Sequence, residues 1–301
     1  MAAPICLRTG PFIFHVETAC EEVIAGIDLL YDRRCILPQP AFCDYHVGIA
    51  RPLLRRWFRP QAVFLFDGHA PFLPGPKRHA SPMLEWGMNW VIAQTAHQYL
   101  ILHAAVVERN GLALLFPAPP GSGKSTLCAG LVFHGWRLLS DELTLVRPNT
   151  GDIVALARPI SLKNESIDVI RRFAPDAVMG PPTEGSVKGT IALLKPPTAS
   201  IDNIDNPARP RWIVFPRYQA GAALKLTERS KAETFIELGE SAMNYNILGE
   251  VGFDTLADLI DRCDIADFVY SDLDEAVGFF TAIADVAMRR GQTPPFATAG
   301  A

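Results

Sequence analysis

The chain lacks any apolar run approaching the ~18 residues needed to span a bilayer, so none of its 301 residues reads as part of a transmembrane helix. Its first residues, Met1-Ala-Ala-Pro-Ile-Cys-Leu-Arg8, carry no basic segment followed by an apolar stretch, which is the form of a secretory signal. A cytoplasmic location is the expectation. Positive charge is not in excess: the formal net charge of -4 gives no general attraction to nucleic acid or to an anionic membrane. Paired cysteines are missing as well. The six cysteines, at 6, 20, 35, 43, 128 and 263, include no Cys-x-x-Cys and read as free, mostly buried thiols. Cys35, Cys43 and His46 fit no common zinc spacing. There is no internal repeat and no low-complexity tract.

What is present is a globular composition, 49% hydrophobic and 20% charged, with 25 prolines that punctuate the chain. Such a length suits one large domain or a catalytic domain with a smaller companion. Up to about residue 80, short alternating runs such as Pro11-Phe-Ile-Phe-His-Val16 and Ala62-Val-Phe-Leu-Phe66 lie between turn signals. Residues 1–90 therefore read as a strand-rich accessory region. Ser81-Pro82 has the form of a cap followed by a proline in the first turn, which predicts a helix over 81–99.

The next segment is the informative one. Leu100-Ile-Leu-His-Ala-Ala-Val-Val107 is apolar and β-prone, and Asn110-Gly111 is the strongest short hairpin signal. Leu112-Ala-Leu-Leu-Phe116 then runs directly into Ala118-Pro-Pro-Gly-Ser-Gly-Lys-Ser-Thr126. Lys124 to His134 reads as a helix stopped by Gly135. Trp136 to Val146 reads as one strand, and Pro196 to Pro210 as a mobile stretch. Later strands are expected at Arg211–Phe215 and Ile265–Tyr270, with helices at 231–243 and 254–262. Ser271-Asp-Leu-Asp274 caps a last helix ending near Arg290, and residues 291–301 read as a flexible tail.

A glycine-rich turn between a strand and a helix lets several backbone N–H groups converge on an anion at the positive end of the helix. In such a loop Pro120, Gly121, Ser122, Gly123, Lys124, Ser125 and Thr126 would hold the phosphates of ATP or a similar nucleotide. Lys124 reaches the β- and γ-phosphates, and Ser125 offers a hydroxyl to Mg2+. Ala118 stands where the first glycine of the motif is usual. Phosphoryl transfer also needs acidic groups for the metal and for the proton of the attacking hydroxyl. Asp141 and Glu142 supply a pair only 17 positions beyond Lys124, within an otherwise apolar strand. In a regular strand they would point to opposite faces. Both reach the phosphates only if the strand bends or ends there; otherwise the pair is a solvated edge.

These residues resemble a known family. A histidine-bearing strand, a hairpin, a phosphate loop, one helix and then Leu-x-x-acidic residues is similar to the catalytic domain of HPr kinase/phosphorylase, and most to the branch called HPr kinase-related kinase A. Phe116-Pro-Ala-Pro-Pro-Gly-Ser-Gly-Lys-Ser125, Leu139-Ser-Asp-Glu142, Arg158-Pro-Ile-Ser-Leu-Lys163 and Lys188-Gly-Thr190 carry the likeness over roughly residues 90–280. It implies an α/β fold with a mixed sheet, a PEP carboxykinase-like catalytic domain over 91–290, and ATP- and Mg2+-dependent phosphorylation of a serine hydroxyl on a partner protein. It assigns metal binding and the base to the pair Asp141 and Glu142, read here as Asp141 on the metal beside Ser125 and Glu142 as the base with the division between the two left open, and it puts a functional histidine at His103, which as a lone histidine in an apolar strand also reads as core. Lys163, Lys188 and Arg158 are candidates to contact the nucleotide or the transferring phosphoryl group, or are ordinary solvated cations. Arg209, Arg211 and Arg217 form a basic cluster or simply surface.

Two family features are absent: the longer N-terminal domain and the glutamate-arginine-glycine signature of the bifunctional members. Glutamate also replaces a usual aspartate at 142. Phosphorolysis, HPr as substrate and hexameric assembly are therefore not carried over, and a homo-oligomer is left open. A small-molecule kinase and a nucleotide-binding regulatory module are the competing readings. No Leu-Ser-Gly-Gly-Gln-like signature supports a transport ATPase.

Overall fold

The computed structural model describes residues 4–38, 42–52, 59–119, 121–186 and 189–290. Pro120, Lys188 and the expected tail at 291–301 lie outside the described residues.

The N-terminal region is strand-rich as expected. Its strands β1 (Ile5–Thr9), β2 (Phe12–Thr18), β3 (Ile36–Leu37), β4 (Tyr45–Ala50), β5 (Gln61–Phe66) and β6 (Gly75–Pro76) form a sheet in the order β3-β1-β2-β4-β5-β6. It also holds helix α1 (Glu21–Leu30), which the alternating runs around it obscured. Val23, Ile27 and Leu30 form its buried stripe at helical spacing, and Glu21 and Glu22 favour its positive end.

Helix α2 (Ala80–Thr95) begins one residue before the expected start and ends four residues early. Ser81 does not cap it, since the helix grows out of a 3-10 turn at Lys77–His79. Ser81 instead packs where a Cβ on Gly26 of α1 would lie 2.4 Å from its Oγ. Gly87, also in α2, is where a Cβ would meet the Phe64 ring at 2.1 Å, so the breaker in this helix is a site of close approach.

Strands β7 (Leu100–Arg109) and β8 (Leu112–Pro117) form the expected hairpin, with Asn110 and Gly111 both at positive φ in its turn. Helix α3 (Lys124–Phe133) follows the glycine loop, and Gly135 at φ +90 ends it. The expected strand over Trp136–Val146 is instead two, β9 (Arg137–Ser140) and β10 (Leu143–Val146). Both lie against the same side of β7; Ser140 and β10 share one register, Val106 opposite Ser140 and His103 opposite Leu143, and a bulge at Leu139 shifts the rest of β9, Val107 opposite Leu138. The ladder opens again at Asp141 and Glu142, where Ser140 Oγ accepts from Leu143 N at 3.1 Å and tightens the turn.

The chain continues through β11 (Ile153–Val154), β12 (Ile160–Lys163), α4 (Glu165–Phe173), β13 (Thr183–Ser186) and β14 (Gly189–Leu194), of which β12, β14 and β13 make a small antiparallel sheet. Beyond lie α5 (Thr198–Asp202), β15 (Arg209–Tyr218), β16 (Lys225–Glu228), α6 (Lys231–Ser241), α7 (Tyr245–Leu248), α8 (Glu250–Arg262), β17 (Asp264–Tyr270) and α9 (Leu273–Arg290). The stretch expected to be mobile, 196–210, contains α5, and the Arg137 guanidinium ties down its Asn203 and Asn206 carbonyls at 2.6 and 2.7 Å. Asp272 supplies the cap of α9, its carboxylate accepting from Glu275 N at 2.8 Å.

The main sheet runs β11-β10-β7-β8-β15-β17-β16 and is mixed, with β8, β15 and β17 parallel to one another. Alternation decides its two faces. Leu114, Phe116, Trp212 and Val214 pack on α3 and α9. Leu115, Ile213 and Phe215 turn to a core shared with α2, α8 and the N-terminal sheet. That second core is continuous across residue 90, from Phe14 and Phe64 to Leu143 and Leu256. Among the described residues, no helix is long and apolar enough to cross a membrane.

Candidate functional site

The glycine loop sits at the carboxyl ends of the parallel strands β8, β15 and β17, where open α/β sheets place their ligand crevices. Two tyrosines at the ends of the neighbouring strands brace it. Tyr218 N donates to Ser122 O at 2.9 Å, and the Tyr270 hydroxyl donates to Gly123 O at 3.0 Å. Burial pushes the Tyr270 hydroxyl pKa up, which keeps it protonated as a donor. Neither tyrosine was expected from the sequence, because their role depends on strands some ninety and more residues downstream.

Gly121 and Gly123 both adopt positive φ, 89° and 91°, in the left-handed region that suits glycine. A Cβ on Gly123 would meet the Tyr270 hydroxyl at 2.5 Å, whereas one on Gly121 would face open space. Ala118 keeps a negative φ, so alanine in place of the usual first glycine introduces no strain. Gly123 is also the cap residue of α3, and no side chain caps that helix. Its first N–H groups therefore remain as donors at the positive helix end.

Lys124 is only 8% exposed, and its Nζ lies 3.3 Å from Nε2 of His103. An ammonium can only donate, so this ring nitrogen is the acceptor of the pair. Burial lowers the Lys124 pKa. The carboxylates of Asp141 and Glu142 oppose that shift, and the nearby Lys163 charge adds to it. Lys163, half-buried at the end of β12, is thus brought to the site.

The break between β9 and β10 meets the condition the sequence left open. Asp141 is 5% exposed; its Oδ2 accepts from Ser161 N at 3.0 Å and from the Ser125 hydroxyl at 3.3 Å. Its Oδ1 is buried without a hydrogen-bond partner. Burial raises the Asp141 pKa, Lys124 pulls it back and Glu142 pushes it further up. Glu142, half-buried, turns the other way and accepts from Asn89 Nδ2 on α2 at 2.5 Å.

Arg158 is not at the phosphates. Its guanidinium is 6% exposed and bonds Glu85 Oε2 at 2.6 Å, Glu85 O at 2.7 Å and Asn89 Oδ1 at 2.6 Å. The Tyr31 hydroxyl donates to the other Glu85 oxygen at 2.7 Å. Glu85 and Asn89 were missed in the sequence; the signal was two polar residues four apart inside an otherwise apolar helix. The three arginines of β15 do not cluster: Arg211 pairs with Asp264 at 2.8 Å, and Arg209 and Arg217 are exposed at opposite ends of the strand.

Mg2+ typically takes one or two carboxylates together with hydroxyl, phosphate and water oxygens. Asp141 Oδ1 and the Ser125 hydroxyl fit that donor set, and Lys124 with the uncapped N-terminus of α3 fits a polyphosphate. Among the described residues no group of three or more His, Cys, Asp or Glu gathers as an all-protein metal cage. All six cysteines are free, and Cys43 Sγ lies 3.4 Å from Cys6 Sγ. A cavity of about 1160 Å3 opens elsewhere, between α1, the start of α2 and β13–β14, and no residue of the glycine loop lines it. The donor chemistry, and not that volume, marks the site.

No family model and no curated protein matches the chain. Among solved structures, the HPr(Ser) kinase/phosphatase from Coxiella burnetii is similar at 9% identity and a TM-score of 0.29, over 64% of this chain and 98% of that one. A likeness at that score supports neither the fold nor an activity.

Proposed function

We propose that the protein is an ATP- and Mg2+-dependent phosphotransferase whose acceptor is a hydroxyl, by the sequence resemblance a serine on a partner protein. One observation carries this reading: the unpartnered buried Oδ1 of Asp141 beside Ser125, next to a desolvated lysine on an uncapped helix. Each of these groups is costly to bury alone, and a metal–polyphosphate satisfies all of them at once.

In the proposed reaction the N–H groups from Gly121 to Thr126 and the Lys124 ammonium hold the β- and γ-phosphates. Asp141 and Ser125 would hold Mg2+, which when bound offsets phosphate charge as a Lewis acid. The acceptor oxygen forms a bond to the γ-phosphorus, the bond from phosphorus to the bridging oxygen breaks, and ADP leaves with that electron pair. Glu142 takes the hydroxyl proton on its free oxygen, Oε1, because Oε2 is engaged by Asn89. Lys163 adds positive charge where negative charge builds. The Lys124–His103 contact holds the lysine at the loop. Lys188 is a further candidate on the sequence alone.

The test is incubation of the protein with γ-labelled ATP, Mg2+ and a lysate of the source organism. A labelled protein band is expected, and Lys124→Ala should abolish both labelling and nucleotide binding. Label confined to small molecules would replace the protein acceptor by a small one. Nucleotide binding without any ADP release, unaffected by Asp141→Asn and Glu142→Gln, would leave only a regulatory module.

A further inference from the structure

The base lies at the end of a buried polar chain that starts outside the phosphate-binding elements. Tyr31 at the end of α1 bonds Glu85 of α2; Glu85 holds Arg158; Arg158 holds Asn89, one helical turn beyond Glu85; and Asn89 holds Glu142. Tyr31, Glu85 and Arg158 are 5%, 7% and 6% exposed, so solvent does not compete over that part of it, while Asn89 and Glu142 at its end are half-buried. Arg158 is delivered by an unusual backbone: Ala157 has φ +42, in the left-handed region that β-carbon sterics disfavour. Two N–H groups, of Leu156 and Ala157, hold that turn on the Leu139 carbonyl at 2.7 and 2.8 Å. Leu139 precedes the acidic turn by two residues, so the turn and the arginine are fastened to one strand.

The chemistry of the partners fixes the orientation of the Asn89 amide. A guanidinium only donates, so the group 2.6 Å from Arg158 is the amide oxygen. A carboxylate only accepts, so the group 2.5 Å from Glu142 is the NH2. Flipping the amide would set donor against donor at one end and acceptor against acceptor at the other. Arg158 thus orders Asn89, and Asn89 presents one N–H to one oxygen of Glu142 and leaves the second oxygen free.

We propose that Asn89 and Arg158 are positioning residues for Glu142, which makes the N-terminal region a wall of the catalytic site. This rests on reading Glu142 as the base. A general base must sit within hydrogen-bond reach of the proton it takes. A side chain of three rotatable bonds on an opened strand needs a second contact to stay there.

The experiment is a double-mutant cycle on kcat, read as ADP release from Mg-ATP in the lysate assay, with the ATP Kd measured in parallel. Asn89→Leu should lower kcat by roughly 10–100-fold, the usual loss when a supporting contact to a site ligand or catalytic group goes. The ATP Kd should stay within about twofold, since Asn89 does not touch the phosphate loop. In a Glu142→Gln background Asn89→Leu should cost nothing more, because its effect runs through Glu142. Equal losses in both backgrounds, or a kcat within about twofold of the parent, would overturn the proposal while leaving the kinase reading intact. A parent protein that never releases ADP overturns both. If Asn89→Leu does not fold, Asn89→Ala in the same cycle decides by the same criteria.

Discussion

Replacing Arg158 by leucine tests the buried chain through stability alone. The guanidinium makes three hydrogen bonds of 2.6–2.7 Å, and one of them closes an ion pair with Glu85 in which both side chains are under a tenth exposed. Without it, the Glu85 carboxylate keeps only the Tyr31 hydroxyl, and Asn89 Oδ1 and Glu85 O lose their donor. Removing one partner of a buried pair costs about 3–5 kcal/mol, most of it from the charge left behind. For a chain of 301 residues that corresponds to a fall in unfolding midpoint of about 5–8 °C. Thermal unfolding of Arg158→Leu, Glu85→Leu and the double variant separates the causes. If the stranded charge dominates, the double variant is more stable than either single one, since an apolar pair of similar volume replaces a buried ion pair at little loss. A loss below about 1 kcal/mol in Arg158→Leu, or a double variant as unstable as the worse single one, would refute the reasoning.

Two further outcomes follow from the site. Gly123→Ala should destabilise the protein by about 1–3 kcal/mol and weaken ATP binding more than Gly121→Ala does. Both glycines have positive φ, but only the first has a Tyr270 hydroxyl 2.5 Å from where the methyl would go; calorimetric titration with ATP and thermal melts compare them. The second concerns pH. Burial, with Glu142 adding and Lys124 opposing, raises the Asp141 carboxyl above its ordinary 3.8, so the unfolded carboxyl ionises at lower pH than the folded one. This group's contribution to stability is therefore full below 3.8 and is lost as pH rises through the higher folded value. In the nucleotide-free protein Asp141→Asn should flatten that decline, while Mg2+ affinity in the parent should rise over the same window, because only the ionised carboxyl binds the cation. Parallel stability–pH curves for parent and variant would count against it.

Local signals were legible and long-range ones were not. Asn110-Gly111 announced the hairpin because its turn type is encoded by two adjacent residues. The glycine turn between β8 and α3 was readable for the same reason, since Gly121 and Gly123 mark its two positive-φ positions. The split between β9 and β10 was legible only as a condition, since whether a strand opens depends on its neighbour: pairing with β7 resumes at Leu143 opposite His103 after Ser140 opposite Val106. Ser81 looked like a cap from its local order, yet the packing of α2 on Gly26 overrode that preference. Arg158 was read either as a nucleotide contact or as a solvated cation, and it is buried instead against Glu85 and Asn89. Its partners Glu85 and Asn89 are some seventy residues earlier, on a helix whose polar face has no meaning until it is docked.

The same contrast explains why the site is recognisable at all. A fold optimised for stability alone would pair Asp141 Oδ1 and keep Lys124 in water; each departure costs free energy and neither improves packing. Two of these groups lose part of their preferred charge to burial in opposite senses, the lysine downward and the aspartate upward. A ligand with both signs of charge would oppose both shifts: an anion at the helix end would favour the charged lysine, and a cation between Asp141 and Ser125 the charged carboxyl. An anion alone would leave Oδ1 unsatisfied, and a cation alone would do nothing for the buried lysine. On the proposed reading the arrangement favours a metal–polyphosphate over either ion. The buried chain from Tyr31 to Glu142 has no part in that selection, which is why nucleotide affinity and turnover should separate when it is cut.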